Sequence, residues 1–265
     1  MPTLSPGVRL DRTRTLPRVL AHRGASGRAP ENTLVAARLA MALGADGVEC
    51  DLHRTVDGAL VVVHDHHLRR TTDAMTVLPG SAPWHVADLT LDEVRRVDAG
   101  AWFGPEFAGE PVPTLAGWAA AVGRHGHLLV EVKDPARYPG IEHDLHAELT
   151  RPGILRTAVA EGRLVVQSFD REWVESFREL APEVSVGVLS EYALPVLAIE
   201  RVAAFADQLN LSCWAARRET VGRAQDRGLA VHTWTANTGF DLWRARRAGV
   251  DGVITDHPDR ALARR

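Results

Sequence analysis

LAHRGASGRAPENTLVAARLAMALGADGVECDLHRTVDGALVVVHD, Leu20 to Asp65, reads as a strand, a polar loop, a helix and a hairpin. Each short apolar run in it ends on chemistry. Leu20-Ala21 runs into His22-Arg23, Gly47-Val48 into Glu49-Cys50-Asp51, and Val61-Val62-Val63 into His64-Asp65. Asn32 or Thr33 can cap a helix over 34–43, whose end Gly44 marks. Period-two alternation puts Glu49 and Asp51 on one face of their strand and Cys50 on the other. Asp57-Gly58 is a turn signal too short for a parallel crossover, so Leu60 to His64 should return antiparallel. With those two as the loop residues, Asp51 faces His64 across the ladder. A bulge would shift that register.

Outward from this stretch, strand and helix alternate. After Asp65 the rhythm breaks over 66–112, which holds Thr71-Thr72-Asp73, Pro79-Gly80, a capping box from Thr90 to Glu93, and the aromatics Trp102, Phe103 and Phe107. This reads as an inserted lobe whose aromatics serve substrate contact or the lobe's own small core. Alternation then resumes, with helices over 115–124, 141–150, 172–180, 195–205, 219–228 and 240–249. The parallel strands begin near Arg18, Gly47, Leu128, Arg163, Ser185, Gln208, Ala230 and Gly252. Eight such units predict an α/β fold, a closed (β/α)8 TIM barrel with a small inserted lobe after His64-Asp65. The chain of 265 residues suits one barrel domain over 1–265, with the lobe at about 66–112.

Bulk properties bound the function. The apolar fraction of 45% and charged fraction of 25% are those of a globular protein. A net charge of −3 makes no electrostatic case for nucleic acid or an anionic membrane, so neither is expected as a partner. Residues 1–17 read as an irregular leader without the apolar core of a signal peptide. No run reaches the roughly 20 apolar residues of a membrane span. Cys50 and Cys213 make no disulfide framework, and the cytoplasm is the expected compartment. Among 31 basic residues a single one, Lys133, is lysine. A lone ammonium in an arginine-rich chain, alternating with Glu131 on a strand, marks a place that needs a compact point charge.

In such barrels the chemistry sits at the C-terminal strand tips. Those tips carry His22 and Arg23; Glu49 and Asp51; Glu131 and Lys133; Gln167 and Phe169; His232 and Trp234; Thr255 and Asp256. Three carboxylates at one rim imply a hard divalent cation. His22 and His64 suit acid–base work near neutral pH. Arg23 and Lys133 suit a phosphate anion. The remaining polar residues read more plainly. His53, His66 and His67 are solvated or supporting, Gln167 is a supporting hydrogen-bonder, Asn237 begins a loop, and His232 has no assigned role. Asp256 with Pro258 marks a helix N-terminus.

The ordered set His-Arg-Gly, Pro-Glu-Asn-Thr, Glu-x-Asp, His-Asp, Glu-x-Lys, Ser-Phe-Asp, Thr-Trp-Thr-x-Asn and Asp-Gly-Val-Ile-Thr-Asp-x-Pro resembles the glycerophosphodiester phosphodiesterases. It runs from Ala21 to Pro258. The resemblance implies a barrel with a lobe after His-Asp, and one Mg²⁺ or Ca²⁺ held by Glu49, Asp51 and Glu131. It implies His22 and His64 as the acid–base pair, Arg23 and Lys133 on the phosphate, and Trp234 and Phe169 bordering the glycerol or leaving group. The small-molecule substrate would be a glycerophosphodiester, cleaved to glycerol 3-phosphate and an alcohol. A lysophospholipase D or phosphatidylinositol phospholipase-like activity is the alternative; it needs an exposed apolar rim, for which Trp84, Trp102, Phe103 and Phe107 are the candidates. A binding module without turnover is the third reading. Head group and oligomeric state are not fixed by the sequence.

Overall fold

A computed structural model of the chain describes residues 17–264; the leader expected over 1–17 lies outside them except for Pro17. Nine strands follow the apolar runs: β1 Arg18–His22, β2 Gly47–Arg54, β3 Leu60–Val62, β4 His127–Val132, β5 Leu164–Ser168, β6 Ser185–Ser190, β7 Gln208–Ser212, β8 Ala230–Trp234 and β9 Gly252–Thr255. All but β3 pair in parallel, and β1 pairs with both β2 and β9, which closes the barrel. β3 is the antiparallel return strand at the edge of β2. The eight expected parallel strands are these, each start within a residue of the expected one.

Buried faces divide as the two periods require. The outward side chains of the strands, Val48, Cys50, Leu52, Val130 and Val166 among them, pack with Trp118, Phe177, Ala37 and Ala40 of the surrounding helices in the main core. Inside the barrel, Leu20, Leu129, Val165 and Ile254 form a plug. His232 lies in register with Gly252, the first residue of β9, so its ring sits at the lower end, away from the tips. There it packs where a Cβ on Gly252 would come within 2.3 Å of it. Burial pushes its pKa down to about 3, so it is a neutral core group.

The helix after β1 spans Leu34–Ala42, and Thr33 is its cap: Ala36 N donates to Thr33 Oγ1. Thr33→Ala is expected to cost about 1 kcal/mol, read from urea denaturation. The segment before β5 holds two helices, Ile141–Thr150 and Ile154–Ala160, where one was expected. Arg151-Pro152-Gly153 breaks the run between them. No helix among the described residues is long and apolar enough to cross a membrane.

The hairpin corrects the expected register. Its loop has three residues, Val56-Asp57-Gly58: Gly58 N donates to Thr55 O at 3.1 Å and Thr55 N to Ala59 O at 2.9 Å. Gly58 takes φ +85°, the left-handed position of a three-residue loop. Leu52 therefore pairs with Val62 and His53 with Val61, so Asp51 lies opposite Val63. Val63 N donates to Asp51 O at 3.0 Å. His64 is one residue beyond the ladder, where the chain is free to turn its ring inward.

Residues 66–112 contain short helical segments and no strand. The capping box is formed between Thr90 and Glu93. Leu68, Leu78, Val86, Leu89, Val94 and Val97 pack with Val61 and Val63 of the hairpin in a core of their own. Trp102, Phe103 and Phe107 stack edge-on at 5.5 Å from ring to ring and stay outside that core.

Candidate active site

A cavity of about 230 Å³ opens at the C-terminal tips. His22, Arg23, Glu49, His64, Glu131, Lys133, Phe169 and Trp234 all line it, with Gln167, Leu189, Glu191 and Ile254. Asp51, the remaining expected site residue, is fully buried beneath this lining. One carboxylate oxygen from each of Glu49, Asp51 and Glu131 lies within 4.8 Å of the others.

These carboxylates are oriented by neighbours. The loop after β1 turns through left-handed conformations at Arg23 (φ +57°) and Asn32 (φ +59°), uncommon for such residues and held here by their contacts. That turn points Arg23 N at Glu49 Oε2, 3.0 Å away. Asn32 Nδ2 donates to Asp51 Oδ2 at 2.8 Å and Asp51 N donates to Asn32 Oδ1, so Asn32 is a clamp and Thr33 the helix cap. Arg23 Nε lies 2.9 Å from Asp51 Oδ2, Lys133 Nζ 3.3 Å from Asp51 Oδ1, and Lys133 Nζ donates to Glu131 Oε1 at 2.7 Å. The two cations expected on a phosphate thus face the acidic triad as well.

Three carboxylates against two cations leave an excess of negative charge in a buried place. Burial, then Asp51 and Glu131, push the Glu49 carboxyl well above the usual range. Burial and Asp51 push Glu131 up to about 7. For Asp51 burial works upward too, but Arg23 and Lys133 outweigh it and hold the group low. Asp51 Oδ1 is buried, with the Lys133 ammonium 3.3 Å away but not in hydrogen-bond geometry. An all-oxygen donor set and mutual repulsion among three buried carboxylates fit a hard divalent cation, and Glu49, Asp51 and Glu131 are the groups that could hold one.

Each imidazole is held by a carboxylate. His22 Nδ1 lies 2.6 Å from Asp256 Oδ1 and His64 Nδ1 2.6 Å from Asp65 Oδ1. With Nδ1–H donating to the acid, Nε2 is each ring's remaining nitrogen for proton exchange. Asp256 is not the helix cap its neighbour Pro258 implied. The helix Pro258–Leu262 has no side-chain cap, and Asp256 accepts from Asn237 Nδ2 at 2.6 Å and from Ser26 as well as meeting His22. Burial opposes, but these bonds bring its pKa down to about 2. Burial lowers the His64 pKa. His53 Nε2 meets the backbone carbonyl of His64 at 3.0 Å, and burial pushes its pKa down to about 4. It supports the loop that carries His64. His66 and His67 stay outside the cavity, packed together and with His85. On the far wall Phe169 and Trp234 meet edge-on at 5.5 Å. Gln167 accepts from Asn210 Nδ2 at 2.6 Å, a supporting contact as expected.

A sequence model of the Glycerophosphoryl diester phosphodiesterase family matches residues 22–260. The chain belongs to this family. A glycerophosphodiester phosphodiesterase of Bacillus subtilis is 34% identical over 252 residues, covering 91% of this chain and 83% of the relative. One of Caldanaerobacter subterraneus is 36% identical over 245 residues, 91% and 94% of the two chains. Among solved structures, an Oleispira antarctica phosphodiesterase in complex with the product sn-glycerol-3-phosphate superposes with a TM-score of 0.79 at 29% identity, over 94% and 96% of the chains. A glycerophosphodiester phosphodiesterase from Agrobacterium tumefaciens gives 0.73 at 26%, over 94% and 100%. Glycerophosphoryl diester phosphodiesterases are phosphoric diester hydrolases, and this chain is an enzyme of that class.

Proposed function

We propose that the chain hydrolyses glycerophosphodiesters to glycerol 3-phosphate and an alcohol, using one divalent cation, Mg²⁺ or Ca²⁺, with His22 and His64 as the acid–base pair. The observation that carries this is the pairing of two carboxylate-held imidazoles with three acidic groups around one small cavity. When bound by Glu49, Asp51 and Glu131, the cation supplies positive charge to the phosphoryl oxygens. Arg23 and Lys133 add fixed positive charge at the same wall and stabilise the charge that develops in the transition state. One imidazole takes the proton of the attacking hydroxyl; the other protonates the departing alkoxide. The attacker is water or a substrate hydroxyl, and both routes use the same two rings. Asp65 and Asp256 keep the rings in one tautomer. Phe169 and Trp234 give the glycerol carbons an apolar wall. The cavity's size favours a compact polar group over an acyl chain, and Trp84, Trp102, Phe103 and Phe107 lie outside its lining. Two unpaired, buried cysteines support the cytoplasm as the compartment.

The test is release of glycerol 3-phosphate from glycerophosphocholine, with a lysophospholipid in parallel, before and after chelation. Release is expected from the first substrate, lost on chelation and restored by Mg²⁺ or Ca²⁺. Turnover that survives exhaustive chelation rejects the metal requirement. Activity confined to the lysophospholipid favours the lipid-directed alternative, and activity on neither favours a binding module.

A further inference from the structure

Arg70, in the lobe, does not line the cavity, yet it holds the two carboxylates that orient groups which do. Its Nε donates to Asp65 Oδ2 at 2.8 Å and its Nη2 to Asp65 Oδ1 at 3.1 Å. Its Nη1 donates to Glu31 Oε2 at 2.9 Å and its Nη2 to Glu31 Oε1 at 2.7 Å. Two edges of one guanidinium thus grip two carboxylates as forks. Each carboxylate passes the grip on through an oxygen it shares. Asp65 Oδ1 is the atom on His64 Nδ1, and Glu31 Oε1 is the atom on Arg23 Nη1 at 3.0 Å. Arg23 in turn meets Asp51.

We infer that Arg70 is a positioning residue for the proposed reaction: it sets the His64 ring through Asp65 and the Arg23 guanidinium through Glu31. The inference rests on the diesterase reading above. Without Arg70, Asp65 is free to rotate away from Nδ1, and Glu31 keeps Arg23 as its one ion-pair partner among the described residues, which pulls Arg23 away from Asp51. A lysine offers a point charge and cannot present two forks. The lobe has an anchor besides Arg70, the apolar core it shares with Val61 and Val63 of the hairpin.

The experiment compares Arg70→Ala and Arg70→Lys with Arg95→Ala, a lobe control whose exposed side chain lies 3.6 Å from Asp92. On glycerophosphocholine, kcat should fall about ten- to hundredfold in Arg70→Ala, less in Arg70→Lys, and stay at wild type in Arg95→Ala. In an Asp65→Asn background the same Arg70→Ala change should cost less than it does in wild type, because part of its effect runs through Asp65. The second readout is NMR of the His64 ring, assigned with His64→Ala. The Nδ1 proton resonance should shift or vanish in Arg70→Ala and persist in Arg95→Ala. A lower Tm with kcat and the His64 resonance unchanged overturns the inference, as does an equal cost in both backgrounds. If wild-type protein cleaves no glycerophosphodiester, the reading of the reaction falls, and the His64 resonance alone decides whether Arg70 positions the ring.

Discussion

Replacing His22 or His64 by alanine is expected to lower kcat by about 10²–10⁴-fold each, measured at saturating divalent cation on glycerophosphocholine. Diester cleavage needs a proton removed from the attacking oxygen and another delivered to the departing one. The cavity offers two imidazoles for this, and each has its Nδ1 occupied by a carboxylate. In the proposed reaction, removing a ring deletes one of the two proton transfers, and it leaves Asp256 or Asp65 without its imidazole. The losses should not add: with one ring gone the concerted pair is already broken, so the double variant should lie close to the worse single one. A folded, cation-binding variant with unchanged kcat at both positions would remove these rings from the mechanism.

The barrel was legible because its signals are local. Apolar runs of four to eight residues, separated by helix-length segments with a cap such as Thr33, report strand and helix without any long-range knowledge. The face carrying Glu49 and Asp51 was legible because the side-chain period of a strand is two, whatever its partner. The hairpin register was not, because it turns on one torsion: a two-residue loop needs positive φ at both Asp57 and Gly58, and here Gly58 adopts it while Asp57 does not, so the loop is a residue longer and every partner moves by one. His64 still reaches the cavity, but from beyond the ladder rather than opposite Asp51. The carboxylate partners of the imidazoles escaped for two different reasons. Asp65 directly follows His64, and adjacency in the chain does not show that its carboxylate turns back onto the ring. Asp256 lies 234 residues from His22, and Pro258 beside it offered a local explanation that the fold does not use. Arg70 escaped for a third reason, since nothing in an arginine-rich stretch distinguishes the guanidinium that folds back onto Asp65 and Glu31.

With no divalent cation present, the protein should lose stability as the pH rises from about 5 to 8, and adding one should recover much of it at the upper end. Glu131 has its pKa pushed up to about 7 by burial and Asp51, against an ordinary 4.5. Between those values the native state keeps a proton that the unfolded chain has released, so the unfolding free energy falls with rising pH. The loss is on the order of 3 kcal/mol once both values are passed. Glu49, also raised, acts in the same direction. Asp51 acts in a separate window: its lowered pKa contributes stability above the ordinary value of 3.8, lost only in stronger acid. A cation held by the triad would offset most of the Glu131 share of that loss, because it would bind the deprotonated carboxylates and compete with protons below pH 7. At a hundredfold excess over Kd it adds about 2.7 kcal/mol. Thermal melts at about pH 5 and 8, with and without Mg²⁺ or Ca²⁺, should show a metal-dependent rise in Tm that is large at the higher pH and small at the lower. Glu131→Gln should flatten both the pH slope and the metal response, since the amide neither titrates nor repels Asp51. Equal metal responses at the two pH values would mean that the ion binds without displacing protons, and so away from Glu49, Asp51 and Glu131.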